Sequence, residues 1–229
     1  MKKTSVYAIL CLLLAIGTGC VSGNFKYPDT MKNQPITAKL YVPDLPLPVV
    51  EGGPSGLIAA GIYAATYEPK LNETFNSLDR EQVRLNIVNS IQERIPSISK
   101  RVHLSVENNA FKGLSIPQNI TSEQQRKDNP RLADFNVATV KNTINTPYLF
   151  VVRILRWGYH GYRGQSFIET RSTLYDVNKN EIVWRTHNFD KSTYGAFVGH
   201  GSITKENSMV NLQKNMKLIL DNTIENLQQ

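Results

Sequence analysis

The segments 148-YLFVVRILRW-157, 166-SFIETRSTLYDV-177 and 181-EIVWRTHNF-189 decide the fold of this chain. The first is apolar on both faces except at Arg153 and Arg156, which predicts a central strand covered on each side. The second alternates with Thr and aromatic residues, and the third carries Ile182–Trp184. Asn178-Lys179-Asn180 predicts a tight turn between them, because Asn accepts positive φ. The three segments therefore predict an antiparallel meander.

The flanking chain supplies two helices, each with one apolar stripe. The first is predicted over Leu78–Ile95, where Asn76 or Ser77 caps its start and Pro96 ends it. The second is predicted from Lys205 to Leu227. The stripe of the first helix is Val83, Ile87, Ile91 and Ile95, and that of the second is Leu212, Met216, Ile219, Leu220, Ile224 and Leu227. Each stripe predicts that its helix packs on the sheet.

Shorter segments complete the predicted domain. Ile36–Val42 and Val102–Val106 are candidate strands, and residues 107–135 are predicted to be mostly loop. The Pro- and Gly-rich residues 43–56 can be neither helix interior nor central strand. The order strand, helix, strand, meander, helix predicts an α+β domain of two or three layers with a mostly antiparallel sheet.

The N-terminus is typical of an export signal. Lys2 and Lys3 precede an apolar run, Val6–Ile16, which is too short to span a bilayer. Gly17-Thr18-Gly19-Cys20 follows and resembles the bacterial lipobox, although the third position before the cysteine is Gly17 instead of the usual Leu. The resemblance implies cleavage before Cys20 and acylation of this cysteine. We therefore predict a signal peptide over 1–19, a lipidated cysteine with a tether over 20–35, and one domain over 36–229.

Acylation at Cys20 would anchor the protein permanently, because several acyl chains bind a bilayer far more tightly than one. Cleavage also removes Cys11, so Cys20 is the one cysteine left and no internal disulfide can form. The following residue is Val21 and not the Asp that commonly retains such lipoproteins in the inner membrane. In an organism with two membranes, the resemblance implies the outer membrane and a domain that faces the periplasm.

Composition and motifs argue against several functions. Loss of Lys2 and Lys3 lowers the formal net charge from +7 to +5, and the basic residues are dispersed, so nucleic acid is a poor partner. The four histidines form no His-Glu-x-x-His motif, and the mature chain lacks a second cysteine for zinc. Gly164-Gln165-Ser166 lacks the glycine of a hydrolase elbow. We expect no catalytic residue, metal or other cofactor.

Two groups of residues are candidates for binding. The small-residue apolar run Leu57–Ala65, with Leu57, Ile58, Ile62 and Tyr63, is either a short helix buried in the core or a contact with membrane or a second subunit. A basic and aromatic group follows the central strand. It comprises Arg153, Arg156, Trp157, Tyr159, Tyr162 and Arg163, with His160 among them. These residue types are enriched at interface hot spots, but they also suit a covered sheet edge with polar tips in water.

The lipobox, the tether, Asp79-Arg80-Glu81-Gln82-Val83 and the hairpin from Leu174 to Trp184 together resemble small envelope lipoproteins. They are similar to the periplasmic domain shared by curli-secretion and penicillin-binding-protein-activator lipoproteins. The resemblance implies a non-catalytic accessory, assembly or regulatory protein that acts through protein contacts. The alternative is a subunit of an oligomeric secretion or export channel in the outer membrane. The identity of the envelope partner cannot be derived from the sequence.

Overall fold

The computed structural model describes residues 26–31, 33–51, 68–98, 101–106, 131–133, 136–160, 165–191 and 205–228. The predictions for the signal peptide, Cys20, the Leu57–Ala65 run, Tyr162 and Arg163 lie outside these residues. None of the described helices is long and apolar enough to cross a membrane.

Six strands among the described residues form one mixed sheet. In chain order they are β1 (Ile36–Tyr41), β2 (Val49–Glu51), β3 (Val102–Val106), β4 (Tyr148–His160), β5 (Gln165–Asp176) and β6 (Glu181–Lys191). The spatial order is β3-β1-β4-β5-β6, and β2 pairs with β4 beyond the end of β1. The pairings β4–β5 and β5–β6 are antiparallel, as the meander predicts. The pairings β1–β3, β1–β4 and β2–β4 are parallel, so "mostly antiparallel" describes only the meander.

The described part of the chain has four helices beside the sheet: α1 (Glu68–Asn76), α2 (Arg80–Ile98), α3 (Lys141–Ile144) and α4 (Lys205–Gln228). On one side of the sheet, which we call the helical face, α2 and α4 bury Val83, Ile87, Ile91, Met216 and Ile219. The predicted stripes of both helices are confirmed at these positions. The side chains of Ile95, Leu212, Leu220, Ile224 and Leu227 lie outside the described part of the structure.

The start and the end of α2 differ from the prediction. The start of α2 is capped by Asp79, whose Oδ1 accepts hydrogen bonds from the backbone N–H of Glu81 at 3.0 Å and of Gln82 at 3.2 Å. Ser77 instead donates its hydroxyl to the Thr74 carbonyl at 2.7 Å. Pro96 lies inside α2, which continues to Ile98. Pro69 is the second residue of α1. Proline is tolerated in a first turn, where its missing N–H has no intrahelical acceptor.

A second layer covers part of the opposite sheet face. A 3-10 turn, Val137–Val140, leads into α3. The side chains of Ala133, Val137, Val140 and Ile144 are buried against the sheet. The sheet side chains of this second core are Tyr41, Leu149, Val151, Tyr175, Val177 and Ile182. The β5–β6 turn holds the layer in place, because Asn180 Oδ1 accepts from the Val137 N–H at 2.9 Å. The domain therefore has three layers, within the two or three that the sequence predicts.

The connection between β1 and β2, residues 42–48, lies beside the helical face as a non-regular strap. Leu45, within the strap, is buried in the core of the helical face. The Trp157 indole N–H donates to the Pro46 carbonyl at 2.8 Å, and Arg80 and Arg84 donate to the carbonyls of Leu45 and Val42. The strap agrees with the prediction that its prolines exclude helix and central strand. The short β2 after it was not predicted.

The described chain begins with a segment that packs on the domain. Tyr27, within the predicted tether, is buried and stacks on Trp184 with ring centroids 6.3 Å apart. Arg101 lies over the Tyr27 ring at 4.8 Å and donates to the Met31 carbonyl at 2.7 Å. Arg131 donates to the Lys26 carbonyl at 3.3 Å. The packed part of the chain thus starts before Ile36.

Candidate functional site

The sheet has two ends, which we call the near end and the far end. The near end holds Tyr148, Asp176 and Glu181, next to Tyr27 and the second layer. The far end holds His160, Gln165 and Lys191. The second core covers the near half of the face opposite α2 and α4. On the far half of that face, the strands carry a different kind of residue.

Charged side chains occupy the far half of this face. Strand alternation and register place Arg153 and Arg156 of β4 beside Arg171 and Glu169 of β5, followed by Arg185, His187 and Phe189 of β6. We call these seven residues the arginine surface. Two cross-strand rows run over β4, β5 and β6. One row consists of Arg153, Arg171 and His187, and the other consists of Arg156, Glu169 and Phe189. The surface thus carries four arginines and a single carboxylate.

Glu169 is held between two neighbouring strands. Arg156 Nε donates to Glu169 Oε2 at 2.5 Å, and His187 Nε2 lies 2.7 Å from Glu169 Oε1. The Glu169 side chain is 14% exposed, whereas that of Arg156 is 49% exposed. Burial raises the pKa of Glu169, but the hydrogen bonds and positive charges of Arg156 and His187 outweigh it, so the pKa lies below its usual range. The carboxylate is therefore ionised at neutral pH.

Arg185 and an aromatic pair complete the surface. Arg185 is buried and donates from Nε to Thr173 Oγ1 at 3.1 Å. The ring of Phe167, which is fully buried, lies 6.1 Å from that of Phe189, which is 44% exposed. The guanidinium carbon of Arg156 lies 6.0 Å from the Phe167 ring centre. The far half of this face therefore presents an arginine and an aromatic ring to solvent, both carried on a hydrogen-bonded sheet.

The structure separates the predicted basic and aromatic group into two faces. The register of β4 shifts between Ile154 and Arg156, so that Leu155 is an extra residue. A regular strand would place Arg153 and Arg156 on opposite faces, because they are three residues apart. The bulge brings both arginines to one face and turns Trp157 to the other.

Trp157 and Tyr159 lie in the core of the helical face and are buried, so they do not present their rings to a partner. Tyr159 follows Trp157 by two residues and therefore shares its face. The structure keeps Arg153 and Arg156 of the predicted group together and adds five residues that were not predicted. The signal for those five was present in the sequence: Glu169 and Arg171 alternate on one strand, as do Arg185, His187 and Phe189 on the next.

Two other features of the described residues bear on chemistry. No three His, Cys, Asp or Glu side chains among them are grouped so that they could hold a metal ion. A cavity of about 20 Å³ lies between α2, α4 and the sheet, lined in part by Asn86, Ser90, Trp157 and Gln213. Its volume suits about one water molecule, since one water needs some 10–15 Å³.

The chain matches no protein-family model, and no curated protein matches it. Solved structures give weak similarities. The PelC dodecamer from Paraburkholderia phytofirmans is 11% identical with a TM-score of 0.33, and the match covers 85% of this chain and 94% of PelC. The hypothetical protein CT253 from Chlamydia trachomatis is 10% identical with a TM-score of 0.41, covering 85% and 98%. Protein XCC0632 from Xanthomonas campestris is 8% identical with a TM-score of 0.39, covering 90% and 94%. Similarities of this size assign no function to the chain.

Proposed function

We propose that this chain is an envelope lipoprotein that acts without catalysis by contacting another envelope protein. Acyl chains on Cys20 anchor it in the outer membrane, and its domain faces the periplasm. The proposal is supported by the positive n-region, the apolar run and the Gly-Thr-Gly-Cys sequence at the N-terminus. The finer resemblance to curli-secretion and penicillin-binding-protein-activator lipoproteins is part of the same proposal.

The observation that carries the contact function is the partial exposure of Arg156 and Phe189 in one cross-strand row. Arginine is enriched among the residues that dominate binding energy at protein interfaces, and phenylalanine is enriched in the buried centre of such interfaces. The sheet fixes the backbone of both, so binding would cost less entropy than it would on a loop. The arginine surface is therefore the proposed contact site.

The anchor is tested by intact-mass analysis of the membrane fraction, with Cys20→Ala as the comparison. We expect a wild-type mass that corresponds to a chain starting at Cys20 plus acyl chains. We expect the variant to lack both the cleavage and the acyl chains. A soluble, unacylated wild-type protein would overturn the anchor and the localisation together.

The contact site is tested by photo-cross-linking in intact cells. A photoreactive phenylalanine replaces Phe189 in one strain and Val210, an exposed residue of α4, in a matched strain. We expect a discrete cross-linked product from position 189 that position 210 does not give. The contact proposal fails if both positions give the same products or if position 189 gives none.

A second candidate function is a subunit of an oligomeric export channel, which the glycine- and alanine-rich run Leu57–Ala65 favours because small residues allow close subunit or membrane contact. PelC, one of the structures compared above, is a dodecamer. Native mass spectrometry of the detergent-solubilised protein distinguishes the two candidates. A discrete homo-oligomer supports the channel, whereas a monomer with a second envelope protein supports the accessory role.

A further inference from the structure

We propose that the arginine surface binds the carboxylates of an acidic protein segment that also carries an apolar side chain. This inference rests on the proposed function, because it names the chemistry of the partner that the surface contacts. It follows from the charge of the surface, from the way the surface already holds a carboxylate, and from the position of Phe189.

The charge of the surface is unbalanced along the strands that form it. Among the described residues of β4, β5 and β6 on this half-face, Arg153, Arg156, Arg171 and Arg185 accompany a single acidic residue, Glu169. Arg153 lies directly opposite Arg171. The excess of guanidinium groups over carboxylates along these strands favours an anionic partner by charge complementarity.

Glu169 shows how the surface holds a carboxylate. One of its oxygens accepts from Arg156 Nε, and the other meets His187 Nε2. A guanidinium carries five N–H donors in a planar fork, so one arginine can bind more than one carboxylate oxygen. The same kind of contact, made by an external acidic side chain at the exposed part of Arg156, needs no rearrangement of the strand.

The exposed ring of Phe189 favours a partner that carries an apolar side chain as well as negative charge. Its ring is 44% exposed, and it lies in the same cross-strand row as Arg156 and Glu169. An apolar side chain that follows an acidic one would cover this ring and gain hydrophobic free energy. A uniformly charged polysaccharide offers no such group, and we therefore assign the surface to an acidic protein segment.

The experiment uses the full acylated protein in detergent and three fluorescent probes. The first probe is a peptide of alternating Glu and Leu, the second is a poly-Glu peptide of equal charge, and the third is polygalacturonate. Binding is followed by fluorescence anisotropy at two salt concentrations. We expect the Glu-Leu peptide to bind most tightly and to weaken as salt rises. Absence of binding by the Glu-Leu peptide, or tighter binding of polygalacturonate, overturns the proposal.

Matched variants locate the site. Arg153→Gln and Arg156→Gln should each weaken the Glu-Leu peptide about tenfold, since a charged hydrogen bond is lost. Lys217→Gln removes an equal charge from an exposed position on α4 and should change binding less than about twofold. Phe189→Ala should weaken the Glu-Leu peptide and leave poly-Glu unchanged. Equal effects of Arg156→Gln and Lys217→Gln would contradict the assignment.

A variant that binds more tightly than the wild type tests the proposal even if the variants that bind less tightly are misfolded. Glu169→Gln removes the negative charge that competes for Arg156, so it should strengthen the binding of both peptides, a result that a damaged fold cannot give. Weaker binding by a Glu169→Gln protein that is still folded at the assay temperature would contradict the proposal. The cross-linking experiment at Phe189 is independent: a cross-linked partner together with no peptide binding would retain the contact function and reject its acidic chemistry.

Discussion

Single residues determine which side chains the arginine surface contains. Leu155, the extra residue in β4, places Arg153 and Arg156 on one face and Trp157 on the other. Close by in the same strand, Gly158 adopts φ +150°, a backbone conformation that side-chain-bearing residues rarely adopt. It faces β2, where a Cβ at position 158 would lie 1.8 Å from the Val49 carbonyl oxygen. The bulge and the glycine together allow β2 to pair with the far half of β4.

Gly158→Ala should therefore destabilise the domain by about 2 kcal/mol or more, because it combines an unfavourable φ with a clash against backbone. Chemical denaturation followed by circular dichroism measures the loss. Ser105→Ala, at an exposed position of β3, is the control and should change the free energy of unfolding by less than about 0.5 kcal/mol. Similar losses in both proteins would show that Gly158 does not need to be glycine.

The ionisation of Glu169 should make the free energy of unfolding depend on pH in the acid range. Burial opposes ionisation, but Arg156 and His187 hold its folded-state pKa below the usual glutamate value of about 4.3. The stabilisation from the ionised Glu169 carboxylate is therefore complete when the pH lies above the usual glutamate pKa. It is lost as the pH falls through the lower pKa of Glu169 in the folded state. Comparing Glu169→Gln with the wild type, we expect a difference of about 1 kcal/mol at pH 7. Urea denaturation at pH 7, 5 and 3 should show that difference shrink toward pH 3, and a constant difference would contradict the mechanism.

Elements with strong local patterns could be predicted from the sequence, and those defined by long-range contacts could not. The meander, α4 and the buried stripe of α2 follow from strand alternation and helical spacing, which are local signals. The parallel partners of β1 and β2 depend on crossover connections, which no local pattern specifies. The second layer was not predicted, because Val137, Val140 and Ile144 have helical spacing but lie in a short segment between the predicted loop over 107–135 and the first strand of the meander.

The start of α2 gives a test at the level of one element. Asp79→Ala removes the acceptor for the N–H groups of Glu81 and Gln82 and should cost about 1 kcal/mol of unfolding free energy. Ser77→Ala should cost less, since its hydroxyl bonds back to Thr74 and does not cap α2. Thermal unfolding of the two variants side by side measures the difference. A larger loss from Ser77→Ala would restore the cap that the sequence predicted.

At the scale of the whole molecule, Tyr27 shortens the tether of the proposed lipoprotein. Six residues, 21–26, separate Cys20 from the buried Tyr27, whereas the sequence predicts a tether that extends to residue 35. Fully extended, the chain from Cys20 to Lys26 reaches about 20 Å. The 13 residues of β4 span about 40 Å from the near end to the far end. An anchored domain would therefore keep its near end at the bilayer and could hold the arginine surface away from it.

The orientation can be measured with a fluorophore in proteoliposomes that contain headgroup-labelled quencher lipids. Asn178, in the exposed near-end turn, should be quenched more strongly than position 189 at the far end. Tyr27→Ala should reduce this contrast and cost about 3 kcal/mol of stability, because it empties the site on Trp184 and releases the segment. Tyr27→Phe should retain both, since the buried Tyr27 hydroxyl has no hydrogen-bond partner in the described part of the chain. Equal quenching at both positions in the acylated wild type would mean that the packed N-terminal segment does not orient the domain, even though the anchor is present.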